Sequence, residues 1–145
     1  MVMVFEQGDI VYLDFDPQAG HEQRGRRPAL VVSNNLFNRV NSLTMVCPIT
    51  HTDRGSPFHI RLDGRTKTDG VIMCDQARML DLTSRRASFE EKASADILAE
   101  AVDIISGIIE IPQWKSDHDE QLHNTTKQTE EARPAFLLQK RRKRP

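Results

Sequence analysis

Apolar and polar positions along this chain change rhythm once, from alternation in the first half to a helical period near residue 100. Residues 9–15 (DIVYLDF) and 28–33 (PALVVS) are short runs of β-branched and aromatic residues, and they predict strands. Residues 43–50, 58–62 and 70–74 predict three more, and 78–82 a sixth. Asp63-Gly64 and Asp69-Gly70 supply turn chemistry between them. Residues 16–27 (DPQAGHEQRGRR), with Pro17, Gly20 and Gly25, predict a loop longer than a tight hairpin turn. Ser33, Asn34 and Asn35 offer caps for a short helical turn, LFNRV.

From Ser94, apolar residues recur at Ile97, Leu98, Ala101, Ile104, Ile105, Ile108 and Ile109, the stripe of an amphipathic helix. Asp96 and Glu100 favour its N-terminal end. Short strands followed by one terminal helix predict a small α+β barrel. Beyond Pro112 the pattern dissolves. Residues 113–135 are polar and charged without a sustained period, Phe136 to Leu138 form an apolar island, and a basic run from Lys140 to Arg144 follows. The expected organisation is therefore a domain over 1–111 and a polar, basic, disordered tail over 112–145.

A length of 145 residues allows one domain with a tail. No stretch reaches the roughly 18 apolar residues of a membrane span. The opening MVMVFEQGDIVYL has neither the positive n-region nor the small-residue cleavage site of a secretory signal. Cys47 and Cys74 sit inside apolar runs (TMVCPIT and VIMCDQ) and read as reduced core thiols, which points to a reducing cytoplasm. Charge is unevenly placed: residues 1–110 carry 12 Lys and Arg against 16 Asp and Glu, while residues 111–145 carry 8 against 5. An acidic body argues against polyanion binding driven by bulk charge, so any nucleic-acid contact must be local. The candidate cluster is Arg24, Arg26 and Arg27, with Arg39 further on.

The segment GDIVYLDFDPQAGHEQRGRRPALVVSNNLFNRV resembles the start of the MazF/PemK/Kid toxins, whose recurring pattern is G-[DE]-I, DP, then G-x-EQ-x-G-x-RP. VCPIT and DGVIMCDQARMLDL match two further blocks in the same order, so the likeness covers roughly residues 5–110. GHEQ, FNRV and CDQ lean towards the Kid/PemK branch. The resemblance implies a CcdB/MazF-type fold: an SH3-like small β-barrel with a C-terminal amphipathic helix, working as a homodimer. It further implies a toxin of a type II toxin–antitoxin system. Such a toxin cuts single-stranded RNA at short sequences without a metal or other cofactor. The 2′-hydroxyl attacks the adjacent phosphate, giving a 2′,3′-cyclic phosphate and a 5′-hydroxyl. Its partners would be mRNA and a small antitoxin that covers the RNA groove.

In-line attack by a 2′-hydroxyl needs a proton acceptor, donors for the charge growing on phosphorus, and a proton for the 5′-oxygen. The family places a catalytic arginine immediately before proline, which is Arg27 here. Its planar fork matches two phosphate oxygens. A guanidinium is a poor base, since its ordinary pKa lies far above neutrality and deprotonating it at pH 7 costs roughly 8 kcal/mol. Charge stabilisation, or proton donation to the departing alkoxide, is the better assignment. Thr50, ending VCPIT, resembles the family's threonine that hydrogen-bonds the scissile phosphate. From the Kid branch come His21, in GHEQ, and Asp75, in CDQ, as acid–base partners; Met73 stands where that branch has a catalytic arginine. Glu22, Gln23 and Gln76 carry groups that can read unstacked bases, and Glu22 is also a rival for the base. Phe15 could stack on a base or pack in the core. His51, His59, His118 and His123 receive no role. Two alternatives remain: a non-catalytic CcdB-like toxin that occupies a protein target such as DNA gyrase, or a degraded toxin.

Overall fold

The computed structural model describes residues 3–15 and 25–112. Every strand and helix described lies within one compact unit, Met1–Ile109. In chain order these are β1 (Asp9–Asp14), β2 (Arg26–Val31), α1 (Asn35–Val40), β3 (Thr44–Thr50), β4 (His59–Arg61) and β5 (Val71–Met73). A single 3₁₀ turn (Cys74–Gln76) leads into β6 (Arg78–Leu80), β7 (Ser88–Lys92) and α2 (Ala95–Ile109).

All pairings are antiparallel, in the order β4-β5-β3-β2-β1-β7, with β6 added against β3. β3 organises the sheet. One edge pairs with β2; on the other, Thr44 to Val46 pair with β6 while Ile49 and Thr50 pair with β5. Its alternate side chains enter two different cores. Cys47 and Ile49 join Ile10, Leu30, Ile60 and Ile72 beneath Ile97 and Ala101 of α2, whereas Val46 joins Val11, Leu13, Phe15, Ala29, Val31 and Leu80 on the opposite face. Strands buried on both faces read as continuous apolar runs, as PALVV and MVCPI do. Each fully buried Ile, Leu or Val contributes about 1.5–3 kcal/mol, so this double core is what holds the curved sheet.

The α+β architecture of a small barrel-like sheet closed by a C-terminal helix agrees with the expectation from sequence. Three details differ. β2 starts two residues before the expected strand, so that Arg26 and Arg27 belong to the sheet and not to the loop. β7 was not signalled by alternation: SFEEK is mostly exposed and owes its form to pairing with β1, through a register shift between Ile10 and Val11. The apolar stripe of α2 outruns the core it covers, because Ile108 and Ile109 remain exposed on this chain. Among the described residues no helix is long and apolar enough to cross a membrane. The tail expected beyond residue 112 lies outside the described residues.

Candidate functional site

Antiparallel register brings the first two candidate residues together. Ala29 pairs with Pro48 and Leu30 with Cys47, and continuing that register by two residues sets Arg27 beside Thr50. Both line a cavity of about 780 Å³, with Thr52, Arg54, Ser56, His59, Met73, Asp75 and Gln76. The hydroxyl oxygen of Thr50 accepts from the Thr52 amide at 3.3 Å, so its O–H proton is what it can offer an anion.

The end of β3 is fixed by a close backbone approach. Gly70, at φ +119°, passes so near that a Cβ there would lie 2.3 Å from the Thr50 carbonyl oxygen. Only glycine fits both the conformation and the space. Beyond Thr50, residues 51–58 are shaped by their own polar groups. The Gly55 amide donates to Asp53 Oδ1 at 2.9 Å and the Phe58 amide to Ser56 Oγ at 3.1 Å, while Arg61 ion-pairs with Asp53. These local bonds present Thr52, Arg54 and Ser56 along one wall.

Further lining comes from the β4–β5 hairpin and the turn that follows it. His59 lies directly across from Met73, and the 3₁₀ turn after Met73 carries Asp75 and Gln76. That turn is anchored by the Cys74 amide donating to the Phe58 carbonyl at 3.1 Å, and by packing of Cys74 under α2. His59 Nε2 lies 3.0 Å from Asp75 Oδ1. Behind the turn, both cysteines are buried and unbridged. The hydrogen bond that the Cys47 thiol donates to its neighbour Cys74, and then burial, push the Cys47 thiol far up, which leaves it a core group and not a nucleophile.

Of the residues expected from sequence, Arg27, Thr50, Asp75 and Gln76 converge on this cavity. Arg26 does not line it. The pleat turns Arg26 to the other face, where Nη1 lies 3.2 Å from Asp14 Oδ1, Nη2 donates to the Arg86 carbonyl at 2.8 Å, and the guanidinium covers the Tyr12 ring. Phe15 is a correction to the stacking expectation: its ring is fully buried, beneath Arg78, and has no face to give a base. His21, Glu22, Gln23 and Arg24 lie outside the described residues. Arg39, on α1, lines a separate cleft of about 230 Å³.

Four cavity residues were missed: Thr52, Arg54, Ser56 and His59. The signal for His59 was present, since pairing the strand at 58–62 with the one at 70–74 puts a histidine against CDQ. The loop residues gave none, because turn-forming Asp, Gly, Ser and Thr look alike wherever they occur. Among the described residues, no group of three or more His, Cys, Asp or Glu is placed to hold a metal ion.

Comparison with known proteins matches residues 6–108 to the PemK-like, MazF-like toxin family of type II toxin–antitoxin systems. The endoribonuclease PemK of Escherichia coli is 39% identical over 108 residues, covering 72% of this chain and 81% of that protein. The crystal structure of MazF from Deinococcus radiodurans superposes with a TM-score of 0.71 at 42% identity, over 75% of this chain and 99% of the other. The MazE–MazF complex from the same organism gives a TM-score of 0.65 at 35% identity, over 76% and 99%.

Proposed function

This chain belongs to the PemK-like, MazF-like toxin family, and on that premise we propose that its cavity is where an endoribonuclease toxin cuts single-stranded RNA. The protein is the toxin of a type II toxin–antitoxin pair and acts as a homodimer, with an antitoxin of the MazE kind as its partner. Relatives named endoribonucleases side with catalysis over the gyrase-binding alternative. Its place of action is the cytoplasm, where mRNA is the substrate.

The observation that carries the reading is the convergence of Arg27, Thr50, Asp75 and Gln76 from separate elements onto one cavity. The roles follow from their chemistry. Arg27 grips two oxygens of the scissile phosphate and the Thr50 hydroxyl donates to the same group, so charge growing on phosphorus meets donors already in place. Asp75 takes the 2′-hydroxyl proton, O2′ bonds to phosphorus, and the P–O5′ bond breaks. An alkoxide is more basic than a guanidine, so the departing 5′-oxygen takes its proton from Arg27; Asp75 then releases its proton to solvent and Arg27 regains one from solvent, which restores both groups. Arg54 supplies a second cation for a flanking phosphate, where Met73 supplies none. Gln76, at the rim, reads the edge of an unstacked base.

Incubating the purified protein with a long RNA in EDTA tests this. The expected result is discrete cuts whose 5′ fragments end in cyclic phosphate, made far more slowly by R27A. RNA left whole by the wild-type protein overturns the reading.

A further inference from the structure

An aspartate on a short exposed turn is a poor base unless something fixes its carboxylate. Side-chain rotation about χ1 alone moves the oxygens by more than the roughly 1 Å that costs a hundredfold in rate. Asp75 sits on such a turn, with 41% of its side chain exposed. The structure provides the fixing group. His59 opens β4 with its Cα opposite Met73, two residues before Asp75, and its ring is 9% exposed. Its Nε2 reaches Asp75 Oδ1 at 3.0 Å. Its Nδ1 is buried and has no hydrogen-bond partner among the described residues.

This arrangement is asymmetric in a telling way. A histidine kept for the core satisfies both nitrogens, because an unmade bond in the interior costs about 1–3 kcal/mol. Here the ring makes one polar contact and aims it at the wall of the cavity. A carboxylate accepts only, so the shared proton sits on Nε2. Oδ1 is then occupied, and Oδ2 is left for the cavity.

We infer that His59 is a positioning residue: its Nε2–H ties down Asp75 Oδ1 and presents Oδ2 to the 2′-hydroxyl of the bound RNA. The inference rests on the nuclease reading above and deepens it. His59 exchanges no proton with the substrate. Its contribution is to convert a mobile carboxylate into an oriented one.

Glutamine places an amide nitrogen close to where histidine places Nε2, so it restores the donor without the imidazole. In single-turnover cleavage, H59L is expected to lower the rate about 10- to 100-fold with RNA affinity changed less than about threefold. H59Q should recover to within about fivefold of wild type. In a D75N background, H59L should add no further loss, because the group it positions is gone. A direct measurement stands apart from activity: the ¹⁵N resonances of the His59 ring should show the Nε2–H tautomer and shift in D75N. Cleavage by H59L at the wild-type rate overturns the inference and leaves the nuclease reading intact. So does H59Q as slow as H59L, a loss in H59L that persists on D75N, or an Nδ1–H tautomer. Wild-type protein without nuclease activity fails the earlier reading, and the tautomer then decides whether the pairing itself exists.

Discussion

Arg26 and Arg27 are chain neighbours with the same side chain, yet they belong to different regions of the molecule. Arg27 lines the cavity that holds Thr50 and Asp75. Arg26, one pleat away, is part of a surface patch where Asp14 accepts from both Arg26 and Arg86 and Tyr12 lies under the guanidinium. In the patch, the guanidinium lies against Asp14, the Arg86 carbonyl and Tyr12, away from the cavity. In the cavity, Arg27 lines a space an anion can enter. The contrast teaches that a run of arginines in a sequence measures charge, while strand alternation decides which arginine meets a ligand.

The comparison breaks most visibly at Arg27. R27A is expected to lower RNA cleavage about 10²- to 10³-fold, the usual loss when one donor to a developing anion is removed, as followed by end-mapped single-turnover kinetics. G70A tests whether the cavity wall depends on the close approach at Thr50. The added methyl meets a carbonyl oxygen at 2.3 Å and forces an unfavourable φ, so a loss of about 1–3 kcal/mol in urea unfolding is expected together with slower cleavage. R26A sharpens the contrast from the other side. Cleavage should stay within about twofold of wild type, with a small drop in the thermal midpoint, since exposed ion pairs hold little stability. A loss in R26A equal to that of R27A would erase the distinction between the two regions.

The smallest effect concerns pH. Hydrogen bonds from Arg86, and then from Arg26, hold the Asp14 carboxyl below its ordinary value of 3.8. A lowered folded-state pKa means that this carboxylate stabilises the fold fully above about pH 4, and that its contribution fades as pH falls through the lower folded value. The stability of D14N should therefore fall less steeply with acid than that of wild type in that window, so that the small deficit of D14N near neutrality closes as pH falls. Equal slopes for the two proteins would show that the patch holds no pH-dependent stability.

Much of this could be read from residue order, and the gaps have physical causes. α2 was evident because seven apolar residues share one face, and β1, β2 and β3 because doubly buried strands need unbroken apolar runs. Arg27, Thr50 and Asp75 were reachable through the RP, VCPIT and CDQ motifs. β7 escaped, since Ser88, Phe89 and Glu90 are exposed and its strand form comes from β1 and not from its own composition. His59 escaped because its meaning lies in cross-strand register, which no single strand contains. Phe15 was left open between core and surface. Its place one residue past β1, on the face shared with Val11 and Leu13, settles it as core.

The 3₁₀ turn bearing Asp75 rests, through Cys74, on the helix that comes last in the folded unit. Contacts between segments distant in sequence cannot form until the later one exists. A growing polypeptide that still lacks residues 95–109 therefore has no seat for that turn, and ribosome-arrested chains stopped before residue 95 should leave RNA uncut. The messenger being read is thus spared by the very copy it is encoding until residues 95–109 of that copy have been made.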